Sequence, residues 1–293
     1  MSVTAHQAKS DKLTLYAFTG SQWAYVPLMG LRENGYGPDE YEIVEIDLVT
    51  AQNFKPDYLQ INPNGTVPSL IAPSLAKPLV DSVEILEYLD RSRPDTTSLT
   101  PGDSSGRERV RELIELVHSA QVDTNIILLQ GRSQDELEEK KKCPWMTFLS
   151  NRQAVLEKYR AEDFSHPLYE RKAAENGALL RLYTTGPSQE HNEFFERTQS
   201  QYRDFAAGLD HLDSLLVLPY AAGSSVTVAD LHIVPWLAHA MWGAGGHEVD
   251  DFESLEMLIQ HSVPGFRIGE RIKEWWANMS KRESFKQCYP ALH

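Results

Sequence analysis

Cysteine is scarce in this chain of 293 residues, where only Cys143 and Cys288 occur. They lie far apart, in no C-x-x-C or metal-type spacing, which excludes a disulfide framework and dithiol catalysis. A reducing cytoplasm is the expected setting. Basic residues are also short, with 28 Lys+Arg against 42 Asp+Glu and a formal charge of −14. A field of that sign repels phosphate backbones and anionic lipid, so neither a nucleic-acid nor a membrane partner is expected. Long apolar runs are missing, none approaching the roughly 20 residues that span a bilayer. The opening MSVTAHQAKSDK lacks the apolar stretch of a secretory signal and reads as a disordered tail over residues 1–12. His247-Glu248 and the acids at 250–253 have no metal-ligand spacing, so no metal is expected.

What is present suits a buried core of one large or two moderate domains, at 41% hydrophobic and 10% aromatic residues. Leu13–Phe18 is a short apolar, β-favouring run, and a small-residue loop at Thr19–Ser21 leads into a helical pattern ending at Asn34-Gly35. Pro27 fits only the first helical turn and so predicts a helix start at Trp23–Tyr25. Glu40–Leu48 reads as a second strand, and Asp57–Gln60 as a short helix. The stretch NPNGTVPSL at 62–70 opens a third strand, Leu75–Val80 reads as a fourth, and Asp81-Ser82 caps a helix through Leu89. The order β-α-β-α-β-β-α makes a small α/β unit over residues 13–92.

Residues 93–106, rich in Ser, Thr, Pro, Asp and Gly, mark a linker. Beyond it strand signals fade, and helical patterns occupy 107–130, 134–142, 145–181, 191–218, 228–242 and 266–279. Residues 107–293 are therefore expected to form an all-α domain. The charged run EEKKK at 138–142 is a solvated helix face. Trp236, Met241, Trp242, Trp275 and Trp276 read as helix-packing core.

This order, with NPNGTVPSL before the third strand and DSVEILEYL after the fourth, resembles the cytosolic glutathione transferases, most closely fungal-type members. Thr227-Val-Ala-Asp-Leu231 adds a family-like capping signature, with Asp230 three residues after Thr227. The resemblance implies a two-domain architecture, a thioredoxin-like N-terminal domain followed by an all-α domain, with glutathione as co-substrate and a homodimeric state. It implies a cis bond at Val67-Pro68, which turns the Val67 N–H and C=O outward to pair with the peptide as an added strand. Asp81 and Ser82 would hold the γ-glutamyl end. Lys55 and Asn53 would face the glycyl carboxylate, although either also reads as a solvent-facing loop residue.

A thiol of pKa near 8.5 needs about 2.7 kcal/mol to fall by about two units. One charge-assisted hydroxyl hydrogen bond supplies roughly 1.5–3 kcal/mol, and a helix N-terminus adds about 0.3–1. The resemblance to serine-type members makes Ser21 the expected thiolate-stabilising residue, with Gln22 as a neighbouring contact and Thr19 or Tyr25 as alternatives. Family members that use tyrosine carry it at the place of Ala17. Trp23 and a helical face carrying His118, Gln121, Val122 and Asn125 at i, i+3, i+4, i+7 are expected to line the second-substrate pocket. The polar character of that face points to an acceptor with groups to hydrogen-bond. The expected activity is addition of the thiolate to an electrophilic small molecule, possible settings including natural-product metabolism. Reversible addition, and hence isomerisation of a conjugated alkene, is the variant, and a non-catalytic binding module is the competing class.

Overall fold

The computed structural model describes residues 11–162 and 166–293, so the tail expected over residues 1–12 lies almost wholly outside the described residues. Three strands occur among them, β1 (Leu13–Ala17), β2 (Tyr41–Glu45) and β3 (Ser69–Ile71). The first helices are α1 (Gln22–Glu33), α2 (Pro56–Leu59), α3 (Ser82–Arg91), α4 (Ser104–Val117), α5 (Asn125–Leu129), α6 (Gln134–Lys141) and α7 (Trp145–Ala161). They are followed by α8 (Leu168–Thr184), α9 (Gln189–Leu215), α10 (Val228–Gly243), α11 (Phe252–Gln260), α12 (Glu270–Met279) and α13 (Glu283–Cys288).

Contacts divide the chain into two compact units. One holds the described residues up to Ala24, Tyr36–Ile85 and Ser133–Phe194. The other holds Tyr25–Gly35, Leu86–Arg132 and Phe195–His293. This division differs from the segmentation drawn from sequence, because residues 133–194 cluster with the sheet rather than with the later helices.

In the first unit the sheet order is β2-β1-β3, with β2 parallel and β3 antiparallel to β1. β1 sits in the centre because its side chains are apolar on both faces, Leu15 at 0% and Tyr16 at 5% exposure. The expected fourth strand shrinks to one antiparallel bridge, Leu70 to Leu79, closed by hydrogen bonds of 2.8 and 2.9 Å. Pro73 and Pro78 flank that segment and carry no amide hydrogen, so the ladder cannot lengthen. α1 starts at Gln22, earlier than Pro27 suggested, and carries Pro27 inside the helix.

A helical pair packs against the segment after β2. Ala51, Phe54 and Leu59 share a core with Leu156 of α7 and with Leu168, Tyr169 and Ala173 of α8. Tyr169 Oη donates to Phe54 O at 2.7 Å, and Asn151 Nδ2 donates to Val49 O at 3.2 Å. The single helix expected over 145–181 is thus two, with Pro167, which has no N–H to extend a helix, at the start of α8.

The second unit is built around α10, whose residues are buried on every side from Val228 to Met241. Thr227 and Asp230 form the expected capping box. The fully buried Asp230 carboxylate accepts from Thr227 N and Ala221 N at 2.8 Å, Thr227 Oγ1 at 3.0 Å and Trp275 Nε1 at 2.8 Å. Trp236, Met241, Trp275 and Trp276 are core as expected, and Trp242 is half-buried. Gly208 of α9 admits Val122: a Cβ there would stand 2.1 Å from a Val122 methyl carbon.

Candidate functional site

The sheet register brings the residues expected at glutathione to one end. β1 ends at Ala17 and leads through Thr19 to Ser21, directly before α1. β2 runs parallel, ends at Glu45 beside Ala17, and leads to Asn53 and Lys55. β3 runs antiparallel from Ser69 beside Tyr16, so Val67-Pro68 lies at that same end. The Leu70–Leu79 bridge, also antiparallel, returns the chain so that Asp81-Ser82 comes level with it.

Val67-Pro68 is a cis peptide bond. Among the described residues neither the Val67 N–H nor its C=O has a hydrogen-bond partner. They stand just ahead of β3 as an unpaired stretch of backbone, in a residue that is itself buried. The loop carrying them is clamped from behind. Tyr58 Oη donates to Thr66 O at 2.6 Å and is hydrogen-bonded to Ser69 Oγ at 2.9 Å. Asn62, fully buried, donates through Nδ2 to Thr66 O at 2.8 Å and Ser69 Oγ at 3.0 Å, while its Oδ1 accepts from Asn64 N at 3.0 Å. Burial, partly offset by the bonds to Ser69 and Asn62, pushes the Tyr58 phenol up to about 12. The turn needs Gly65, whose φ is +60° and whose α-carbon faces the Phe54 ring.

Asn53 sits differently from its expected exposure to ligand. It is 4% exposed and donates through Nδ2 to Gly65 O at 2.7 Å, which makes it a holder of the loop. Lys55 is exposed, at the N-cap of α2. Burial works to raise the nearby Asp47 carboxyl. Hydrogen bonds from Thr50 and from the amides of Val49 and Thr50, with the charge of Lys55, nevertheless hold it below its usual range.

Asp81 Oδ1 accepts from Val83 N at 2.9 Å and Glu84 N at 3.2 Å, so it caps α3 as the plain helix-cap reading requires. Ser82 is buried at the first helical position. Ser21 is partly exposed; its N–H donates to Phe18 O at 3.0 Å, and its hydroxyl has no hydrogen-bond partner among the described residues. Both alternatives to it are engaged elsewhere. Thr19 reaches Glu45 Oε1 from its N–H at 3.2 Å and its hydroxyl at 3.5 Å. The Tyr25 ring packs on Tyr289 and His293, with centroids 5.0 and 4.7 Å away. Gln22 is buried in the first turn of α1, and Trp23 beside it is half-buried.

The expected second-substrate face does not form as a single helix face. α4 ends at Val117, with His118 at its C-cap, a 3-10 turn covers Ala120–Val122, and α5 begins at Asn125. Ser119 and Asp123 are both extended, and Asp123 Oδ1 accepts from Asn125 N and Nδ2, so local side-chain bonding displaces helix continuation. Val122 is 0% exposed and packs in the core, its C=O accepting from Trp236 Nε1 at 2.9 Å; it is not a lining residue. Gln121 is exposed and donates to Asp204 O, while exposed His118 is hydrogen-bonded to buried His232 at 2.9 Å.

The clamp of Tyr58, Asn62 and Ser69 was not singled out from sequence. Asn62 lay inside the quoted motif, but nothing in the spacing pointed Tyr58 at Thr66. Among the described residues no group of three or more His, Cys, Asp or Glu could hold a metal ion, and no helix is long and apolar enough to cross a membrane.

A thioredoxin-like sheet with an unpaired stretch of backbone before β3 is thus followed by a mostly helical remainder. Residues 11–91 match the family described as glutathione S-transferase, N-terminal domain. A zeta-class glutathione S-transferase of Euphorbia esula is 27% identical over 156 residues, covering 53% of this chain and 67% of that protein. A maleylpyruvate isomerase of Ralstonia is 35% identical over 77 residues, covering 26% of this chain and 35% of that one. A crystal structure of a glutathione transferase homologue from Sulfitobacter with bound glutathione aligns over 95% of this chain and 97% of its own. That alignment has a TM-score of 0.56 at 18% identity, which speaks to fold. The matches to two further plant relatives span 59% and 58% of their lengths. Residues 11–91 thus resemble a glutathione S-transferase N-terminal domain, and the chain has the two-domain glutathione transferase fold.

Proposed function

We propose that this protein binds glutathione along the Val67 edge, stabilises its thiolate with Ser21, and adds that thiolate to an electrophilic small molecule. The observation that carries this reading is the Val67 N–H and C=O, unpaired among the described residues, at the sheet end that also holds Ser21 and Asp81-Ser82. A peptide backbone completes that edge as an added strand. The Ser21 hydroxyl, without a hydrogen-bond partner among the described residues, donates to sulfur. The start of α3 takes the γ-glutamyl carboxylate on its free N–H groups. The Asp81 carboxylate is left to meet the ammonium through the oxygen that does not cap the helix. Lys55 faces the glycyl end, and Asn53 holds the loop rather than the ligand.

Isomerisation by reversible addition is the second reading, favoured by the local identity to a maleylpyruvate isomerase and by 33% identity over 104 residues to a maleylacetoacetate isomerase of Rhizobium meliloti. In it the thiolate adds to a conjugated alkene, a bond rotates, and the thiolate leaves, so glutathione is not consumed. A cytoplasmic homodimer of fungal type, acting in secondary metabolism, completes the proposal on the resemblance alone. Titrating glutathione into the protein while following thiolate absorbance near 240 nm tests the core of it. Binding with no thiolate signal at pH 7 would identify a non-catalytic module. Incubation with a cis conjugated diacid then separates the readings: isomer formation at constant glutathione supports isomerisation, and loss of free thiol supports transfer.

A further inference from the structure

Residues 133–194 cluster with the sheet, and α8 is the part of them that closes on the loop before β3. Tyr169 of α8 is 1% exposed, and its Oη donates to Phe54 O at 2.7 Å. Among the described residues no backbone N–H reaches that carbonyl, because Tyr58 N and Leu59 N both turn to Lys55 O. The phenol is thus the partner that a buried acceptor requires. Burial, with the charges of Tyr159 and Glu162, raises its pKa, so it stays a neutral donor. Its ring is held in turn by Tyr159 of α7, stacked with centroids 5.7 Å apart.

Phe54 passes this constraint to the loop that presents Val67. Beside it in the same 3-10 turn, Asn53 donates to Gly65 O at 2.7 Å. A Cβ on Gly65 would stand 3.0 Å from the Phe54 ring and 3.1 Å from a Leu168 methyl carbon, so the first residue of α8 also flanks the loop. The loop therefore has two supports. Tyr58 and Asn62 hold Thr66 O from within the segment, and α8 holds Phe54 and flanks Gly65 from outside it. The turn carrying Ser21 is tied separately, Thr19 to Glu45 and the Ser21 N–H to Phe18 O. A change in α8 thus reaches the peptide-binding loop and bypasses the thiolate residue.

We propose that Tyr169 is a positioning residue for glutathione: without touching the ligand it fixes Phe54, and with it the Asn53–Gly65 turn, so that α8 sets how tightly the peptide binds. This rests on the glutathione reading above. Its consequence is that affinity and thiol ionisation are governed by separate parts of the fold, the one by α8 and the other by Ser21.

Titration calorimetry with glutathione on the wild type, Tyr169→Phe, Asn53→Ala and the double variant tests this. Tyr169→Phe keeps the ring but strands Phe54 O, and is expected to lose roughly three- to tenfold in affinity. At saturating glutathione its bound thiol should titrate as in the wild type. In the double variant the two losses are expected not to add, since both act on one turn. Asn176→Ala controls for general loosening of the helical pair. It removes donors to Leu149 O and Gln153 Oε1, and is expected to lower the melting temperature while leaving affinity unchanged. A Tyr169→Phe protein that binds glutathione like the wild type overturns the assignment. So does a loss undiminished on the Asn53→Ala background, a shifted bound-thiol titration, or an equal affinity loss in Asn176→Ala. These outcomes leave the glutathione reading standing, whereas a wild type that does not bind glutathione overturns both. Should Tyr169→Phe fail to fold, Leu168→Val decides, since it draws side-chain bulk off Gly65. It is expected to weaken binding roughly threefold, and unchanged affinity refutes the proposal.

Discussion

Replacing Ser21 by alanine separates catalysis from stability more cleanly than any other change at the site. Among the described residues the Ser21 hydroxyl has no hydrogen-bond partner, so its removal orphans no donor or acceptor there. Helix-capping serines normally contribute ~0.5–2 kcal/mol, but that value belongs to hydroxyls bonded to helix amides, so the loss here is expected below ~0.5 kcal/mol. The bound thiolate, in contrast, loses a charge-assisted hydrogen bond of roughly 1.5–3 kcal/mol. At 1.36 kcal/mol per unit this raises the thiol pKa by about one to two units. A bound thiol titrating near ~6.5 moves to near ~8, and its ionised fraction at pH 7 falls from roughly three quarters to roughly a tenth. Thiolate absorbance across pH 5–10, at saturating glutathione, reads this directly, with thermal melts as the control. Thr19→Ala and Tyr25→Phe should leave the bound thiol's titration in place, since Thr19 bonds to Glu45 and the Tyr25 ring packs at a tilt against Tyr289 and His293. An Ser21→Ala protein whose bound thiol titrates like the wild type's refutes the reasoning, and an effect confined to Thr19→Ala or Tyr25→Phe reassigns the residue.

Three further outcomes are expected. Asn62→Ala removes donors to Thr66 O and Ser69 Oγ and strands the Asn64 N–H, so glutathione affinity should fall about tenfold or more with a stability loss of ~2–3 kcal/mol; unchanged binding would show that the loop keeps its shape without the clamp. Asp230→Ala leaves four buried donors without their acceptor and should cost ~3–5 kcal/mol in urea unfolding followed by tryptophan fluorescence, a loss under ~1 kcal/mol contradicting the network. Burial, with the charge of His293, lowers the His239 imidazole to about 4. A depressed folded-state pKa means that its contribution is complete above the unfolded value near 6.5 and is lost as pH falls through about 4. That contribution is on the order of 3 kcal/mol. His239→Gln should flatten the stability profile over this window, and an unaltered acid limb in pH-jump unfolding would count against it.

Much was legible in the sequence because it rests on local rules. The apolar run of β1, the order of elements around NPNGTVPSL, the Thr227–Asp230 box and the buried tryptophans follow from residue type and spacing, which short-range sterics and apolar burial enforce. Shorter elements escaped where local bonding competes. Pro73 and Pro78 reduce the fourth strand to a bridge, and Ser119 with Asp123 breaks the helix on whose face His118, Gln121, Val122 and Asn125 were expected to stand together.

Sequence alone thus determined the order of elements, since each depends on a few neighbouring residues, whereas the edge at Val67 and the choice of Ser21 were expected only through the resemblance. Tertiary structure decided which side chains serve the edge. Tyr58 and Asn62 reach Thr66 across a turn, Asn53 turns inward to Gly65, and Tyr169 meets Phe54 from 115 residues away. Such roles depend on where packing puts a polar group and what it leaves unpaired there, and no periodicity in the chain encodes that.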